Sequence, residues 1–335
     1  MDSANRYFSL IDALVGRRVA VIGDVMADEF VYGQVARVSR EAPVLILEHS
    51  SSEIVPGGAG NAANNVAALG GEARLAALVG RDEAGRHLLK RLHARIKRAN
   101  ILRLSDYTTP IKTRILAGGI HSAKQQVVRI DRGGKQVFDI KTRKAFERMA
   151  VRAVDRCDAV LVSDYGSGLI TPALVSRLKM KARKSRRQVP ILLDTRYGLL
   201  RYKGLTACAP NEAEVENTLG IKIEDNKRVL EKAGKELLAR TRMSAVLVTR
   251  GSRGMALFQQ NRPVITIPIF GSDEIADVTG AGDTVIATVT LALAAGANFE
   301  QAARLANYAA GLVVMKRGTS TVDVAELRRA LSLDN

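Results

Sequence analysis

The chain has no tryptophan, 2 cysteines, 7 tyrosines and 7 phenylalanines, so aromatics make up only 4% of its 335 residues. Cys157 and Cys208 stand alone, neither in a C-x-x-C pair. That argues against a disulfide framework or a zinc site and fits a reducing compartment. His49, His87, His93 and His121 are scattered without metal-ligand spacing, and each reads as a surface or locally bonded histidine. Long apolar runs are missing too, since none approaches the ~20 residues that cross a bilayer. The start, Met1-Asp2-Ser3-Ala4-Asn5-Arg6, carries an acid and no apolar signal core. The expectation is a cytoplasmic protein with no membrane partner.

Acid is also scarce, with 34 Asp+Glu against 51 Lys+Arg and a formal net charge of +17. Such an excess raises the question of nucleic acid. The densest basic run, Lys179 to Arg187, has no interleaved aromatics, and stacking platforms for single strands are hard to build from so few rings. We read it as a solvated helix face, with no nucleic-acid partner. A positive field would equally suit a small polyanionic substrate.

What is present describes an ordinary globular chain, 47% hydrophobic and 25% charged. No repeat, low-complexity tract or long linker divides it, so residues 1–335 read as one domain. Its periodicity alternates strands and helices. Arg18–Gly23 is a buried first strand followed by Asp24 and Asp28, where open α/β sheets bind ligands. Arg74–Gly80 is a strand and a helix then runs to about Arg98; Phe146–Asp155 is a helix. The strand Ala159–Ser163 leads into Asp164-Tyr165-Gly166-Ser167-Gly168. Ile191–Asp194 and Ala245–Thr249 are further strands, and a short helix ends near Leu331. Two patches, at about 30–48 and 110–131, break the alternation with short strands. Lys112, Arg114 and Arg129 face one way on the second, as lid surface or as partners for a phosphate.

The most informative stretch is Asp277-Val278-Thr279-Gly280-Ala281-Gly282-Asp283-Thr284, a glycine turn opening an apolar helix from about Val285 to Ala295. Free amides of Gly280, Ala281 and Gly282 at a helix N-terminus make an anion site. Asp283 in its first turn could merely complement the helix dipole. Beside an anion hole, it could also take a proton from an attacking hydroxyl, as phosphoryl transfer requires.

A second glycine turn, Pro56-Gly57-Gly58-Ala59-Gly60-Asn61, enters an Ala-rich helix. It also matches the dinucleotide pattern G-x-G-x-x-A, but weakly, because it does not close the first βα unit. Gly57 and Gly58 would admit a sugar to the backbone, and Asn61 can both donate and accept. Asn65, one turn on, reads as packed inside. Asn211 and Glu214 suit a hydrated Mg²⁺ or a helix cap.

Together the two glycine stretches resemble the signatures of the ribokinase-like (PfkB) carbohydrate kinases, in the family's order. The resemblance implies a three-layer α/β/α fold, with a mostly parallel sheet and a small β-sheet lid that pairs two subunits as a homodimer. It also implies ATP and Mg²⁺ as cofactors. Asp283 would be the catalytic base and Gly280–Gly282 the anion hole; Asp24, Asp28, Gly57, Gly58 and Asn61 would contact the sugar. Asn211 and Glu214 would belong to the metal network. Thr249, Arg250, Gly251, Gly254, Thr279 and Asn307 would line the nucleotide, and K⁺ would lie near Asp277 and Thr279. Relatives carry Asp-Pro-Lys-Gly where this chain has Asp194-Thr195-Arg196-Tyr197-Gly198, so the lysine's role is not carried over to Arg196.

Gly23–Asp28, Tyr32-Gly33, Val38–Val44, Ser163–Gly168 and Lys316–Val322 resemble one branch, the heptose-7-phosphate kinases of lipopolysaccharide core synthesis. Many of these are fused to a nucleotidyltransferase; ending at Asn335, this chain reads as the stand-alone form.

Overall fold

Strand β1 (Arg18–Gly23) is apolar on both faces, and the reason is its place at the middle of a sheet. In the computed structural model, Val19 and Val21 pack into one core and Ala20 and Ile22 into another. The structure describes residues 2–118, 124–133, 136–185, 188–271, 277–316 and 318–333. Among the residues singled out above, Met1, His121, Arg186, Arg187, Arg317 and Asn335 lie outside the described residues.

From Asp24 the chain passes directly into a long hairpin, β2 (Val25–Val38) and β3 (Leu45–Gly58). After the helix Ala59–Ala68 come β4 (Glu72–Gly80), the helix Glu83–Lys90 and β5 (Lys97–Leu104). Strands β6 (Ile111–Gly118) and β7 (Gln125–Arg132) follow. Then come β8 (Ala159–Asp164), β9 (Ile191–Thr195), β10 (Ala207–Cys208), β11 (Ala245–Thr249), β12 (Met255–Gln259) and β13 (Ile265–Ile267).

The nine-stranded sheet runs β13-β12-β11-β10-β9-β8-β1-β4-β5, and the separate four-stranded sheet runs β3-β2-β6-β7. The large sheet is parallel from β11 to β5, with β12 and β13 added antiparallel at one edge. Helices cover both of its faces. Ala59–Ala68, Ala281–Ala294 and Phe299–Val314 pack into one core, while Ile140–Ala153, Pro172–Arg183 and Lys227–Thr241 pack into the other. This is the three-layer α/β/α arrangement expected, with its smaller sheet separate.

Three element boundaries differ from the sequence reading. The helix read to Arg98 stops at Lys90, and Lys97–Leu104 is instead the edge strand β5. Its sequence has no clear period-two pattern, and pairing with β4 overrides its local preference. The helix before β8 starts at Ile140, six residues earlier than read, because Asp139 caps it by accepting from the Thr142 amide at 2.7 Å. The hairpin is longer than 30–48: both its strands reach back to the central sheet.

That return is what positions the site. The Ala59 amide, leaving the hairpin, donates to the carbonyl of Asp24, which enters it, at 2.9 Å. The Asp24 amide in turn donates to Ser163 of β8 at 3.0 Å. The small sheet is thus pinned there, over the C-terminal ends of the parallel strands.

Candidate active site

Gly280 caps the helix Ala281–Ala294 in the left-handed conformation, with φ 81°. A Cβ there would meet Asn61 Nδ2 at 2.6 Å, so glycine is required by conformation and by space. At Gly282 a Cβ would meet nothing within 4 Å, which leaves open space in front of the turn. The expected trio of free amides is reduced, since Ala281 donates to the Val278 carbonyl at 3.2 Å. Among the described residues the Gly280 and Gly282 amides make no such bond.

Asp283 is buried on the first turn of this helix. Its Oδ2 accepts from Asn61 Nδ2 at 2.9 Å and its Oδ1 from the Tyr165 hydroxyl at 2.9 Å. Its pKa is pushed up to about 6, chiefly by burial and further by Asp28; Asn61, Tyr165 and Lys112 oppose the rise. A carboxyl poised there can be ionised near neutrality and still accept a proton. The whole turn is backed by a polar relay. Thr284 donates to Asn65 Oδ1 at 3.1 Å, and Asn65 Nδ2 donates to Asn61 Oδ1 at 3.0 Å. Asn65 is packed inside, as read.

Several residues read as sugar contacts are bonded or packed within the site itself. Asn61 is completely engaged by Asp283, the Gly280 carbonyl and Asn65. The space at Gly57 is filled by the Asp28 carboxylate, which an added Cβ would meet at 2.2 Å. Gly58, at φ 58°, would bring a Cβ within 2.6 Å of the Asp24 carbonyl. The Asp24 carboxylate accepts from the amides of Tyr165 and Ser167 and from the Ser167 hydroxyl, at 2.8, 3.3 and 2.6 Å. Its pKa is raised to about 6, by burial first.

Beside Tyr165 lies a cavity of about 320 Å³ between the two sheets, lined by Lys112, Arg129, Arg132, Tyr165, Arg196 and Tyr197 among others. Lys112 and Arg129 are two of the three basic residues expected to face one way on this sheet. The third, Arg114, is buried against Asp28 at 2.5 Å, with its guanidinium carbon 5.5 Å from the Phe30 ring centre. Arg129 forks onto Asp131 at 2.8 and 2.7 Å, and Arg132 reaches Glu29 at 2.7 Å. The Lys112 ammonium stands 5.0 Å above the Tyr165 ring. Burial depresses its pKa, and Arg196, Arg114 and Arg129 push the same way against Asp28. An ammonium crowded by cations is a natural partner for an incoming anion.

The sequence reading weighs Arg196 without giving it a role, names Tyr165 and Tyr197 only within their turns, and misses Arg132. For Tyr165, Arg196 and Tyr197 the available signal is position, since they follow parallel strands. A larger groove, about 730 Å³, lies between the helices Ile140–Ala153 and Pro172–Arg183. None of its lining residues stands at a strand's C-terminal end, and we assign the chemistry to the smaller cavity.

On the other side, Asn211 and Glu214 form a capping box. Each side chain accepts from the other's amide, at 2.9 and 3.0 Å. Among the described residues no group of three or more His, Cys, Asp or Glu could hold a metal directly. Asp194, however, has its pKa driven well above the usual value, by burial and then by Asp283 and Glu214. That crowding of carboxylates suits a hydrated Mg²⁺, which keeps most of its waters.

The residues read as lining the nucleotide divide in the same way. Thr249 bridges to Asn211 at the ends of β11 and β10. Arg250 is tied to Glu212 at 2.7 Å, Asn307 donates to the Pro268 carbonyl at 2.8 Å, and a Cβ on Gly254 would strike the Ile267 carbonyl at 2.1 Å. Gly251 opens the turn between them. The Asp277 carboxylate accepts from the Thr279 and Gly318 amides at 2.8 and 3.1 Å. Asp277 thus clasps the turn to the loop at Gly318.

A parallel sheet with a small sheet pinned over its strand ends is the layout of ribokinase-like sugar kinases. The fold matches Arabidopsis thaliana ribokinase complexed with ribose and ATP, with TM-score 0.71 and 20% identity over 95% of this chain and 99% of that one. It also matches Escherichia coli phosphofructokinase-2 in complex with potassium, with TM-score 0.72 and 17% identity over 95% and 99%. At these identities the likeness shows the fold alone.

Residues 17–325 match the pfkB family carbohydrate kinase model. The chain is 40% identical over 317 residues to the bifunctional protein HldE of Geobacter sulfurreducens, covering 94% of this chain and 63% of that protein. It belongs to the pfkB family of carbohydrate kinases, and spans less than two thirds of that relative's length. Among the described residues no helix is long and apolar enough to cross a membrane.

Proposed function

We propose that this chain transfers the γ-phosphoryl group of ATP to O1 of D-glycero-D-manno-heptose 7-phosphate, giving the 1,7-bisphosphate on the way to ADP-heptose. The observation that carries this reading is the Asp283 carboxylate. It is buried on a helix's first turn and held by two donors, one of which, Tyr165, also lines a cavity rimmed with cations. The branch resemblance and the similarity to HldE support heptose.

In this reading the sugar enters between the sheets with its phosphate toward Lys112, Arg129, Arg132 and Arg196. Ionised Asp283 takes the O1 proton as the new O–P bond forms and the bond to the β-phosphate oxygen breaks. The Gly280 and Gly282 amides steady the transferred charge. Mg²⁺, when bound through water near Asn211, Glu214 and Asp194, supplies screening of the phosphates. Asn61 and Asp28 act by shaping the base's surroundings, and Arg114 by neutralising Asp28. The small sheet limits water access to the reacting groups.

The exposed apolar residues Val35, Val38, Leu45, Val128 and Ile130 on β2, β3 and β7 support a homodimer through this sheet. The pinned hairpin supports one domain with an inserted lid rather than two domains.

ATP consumption with a panel of heptose 7-phosphate, ribose and fructose 6-phosphate tests the substrate. We expect the heptose phosphate to have the highest kcat/KM, and preference for another sugar would displace it. Lys112→Ala should raise KM for the phosphorylated sugar by about 10-fold or more, the worth of one charge-assisted contact of ~1.5–3 kcal/mol. KM for ATP should change little. An unchanged sugar KM would return Lys112 to lid surface.

A further inference from the structure

Tyr165 stands in the turn after β8, between the cavity and the Asp283 carboxylate. Its hydroxyl donates to Asp283 Oδ1 at 2.9 Å, opposite the Asn61 amide on Oδ2 at 2.9 Å. The two donors come from different layers of the fold, and each is held from behind. Asn65 fixes which way the Asn61 amide faces by donating to its Oδ1. Tyr165 is fixed at its backbone by Asp24, which accepts from its amide at 2.8 Å. Lys112 covers its ring at 5.0 Å, and a Cβ on Gly58 would come within 3.3 Å of ring carbon Cε2. A phenol held this way and pointed at one carboxylate oxygen does more than fill space.

We propose that Tyr165 is a positioning residue whose hydroxyl holds the Asp283 carboxylate ionised and aims it at the hydroxyl delivered from the cavity. The proposal rests on the reading of Asp283 as the base. Asp28 on β2 and Asp194 on β9 also face this carboxylate and oppose its ionisation, while Lys112 on β6 favours it. Removing the phenolic hydrogen bond leaves all three charges in place. It subtracts one interaction that favours the charged form.

The test is Tyr165→Phe, which keeps the ring under Lys112. Carbon-13 NMR of the aspartate carboxyls in the unliganded protein, assigned with Asp283→Asn, follows the titration directly. We expect the Asp283 midpoint to rise by about one pH unit, the order of one hydrogen bond to a charged group. The acid limb of kcat/KM should rise with it, giving about a 10-fold loss near pH 5.5 that fades above pH 8. Tyr165→3-fluorotyrosine, a stronger donor, should move both the other way.

A folded Tyr165→Phe protein whose Asp283 midpoint does not move would overturn the proposal. The NMR arm needs no turnover. If no sugar is phosphorylated, the kinase reading falls while the positioning role stands or falls on the titration alone.

Discussion

Asp283→Asn is expected to fold normally and to lose about 10²–10⁴-fold in kcat, the usual worth of a positioned general base. The substitution is close to isosteric, and its hydrogen bonds can be kept. The new amide oxygen can accept from Asn61 Nδ2, and the new amide nitrogen can donate to the Tyr165 hydroxyl oxygen. Turnover within a few-fold of wild type would strip Asp283 of its role.

Stability should move the opposite way from activity. The folded protein holds the Asp283 pKa at about 6, above the ordinary 3.8, because burial disfavours the ionised form. A raised carboxyl pKa contributes stability that is complete below pH 3.8 and is lost as pH rises through about 6. Wild type therefore carries a burden at pH 8 that the amide lacks. Two units correspond to roughly 3 kcal/mol at most. Urea unfolding should show Asp283→Asn gaining on wild type as pH rises from about 4 to 6, with the difference level above about pH 7. A difference that does not change with pH would contradict the strained base.

Arg114→Ala is expected to cost about 3–5 kcal/mol, because it leaves the buried Asp28 carboxylate without its partner. The pair is nearly closed to water, with side-chain exposures of 11% and 7%. Combining Arg114→Met with Asp28→Asn should cost much less than the two changes summed, since neither is then an orphaned charge. Denaturant midpoints of the single and double variants measure this. If Arg114→Ala kept full stability and only raised the sugar KM, Arg114 would belong with the cavity cations after all.

The contrast between Arg114 and Lys112 shows how far the chain can be read. Both lie on β6, two residues apart and on one face, and by type either could meet a phosphate. Strand register separates them. Lys112 pairs across with Asp28 and Arg114 with Phe30, yet Arg114 reaches diagonally back to the Asp28 carboxylate. Lys112 is left over the Tyr165 ring at the cavity wall. Asn61 is similar, since an amide suited to a sugar hydroxyl serves equally well on a carboxylate. Here the left-handed Gly280 opens the space that brings Asp283 to it. β5 was unreadable for another reason: an edge strand needs one partner and imposes little pattern on its own residues.

Local chemistry was decided by the amino-acid order alone. The two-faced strand Arg18–Gly23, the glycine turn at Gly280 and the placing of Asp283 on a helix's first turn depend on neighbours a few positions away. Which charges are neutralised, and which still face a ligand, was decided only by the folded molecule. Asp28 and Arg114 lie 86 positions apart, and Tyr165 and Asp283 lie 118 apart. Such pairs are made by strand register and by the pinning of one sheet on another, and no short stretch of sequence contains both partners.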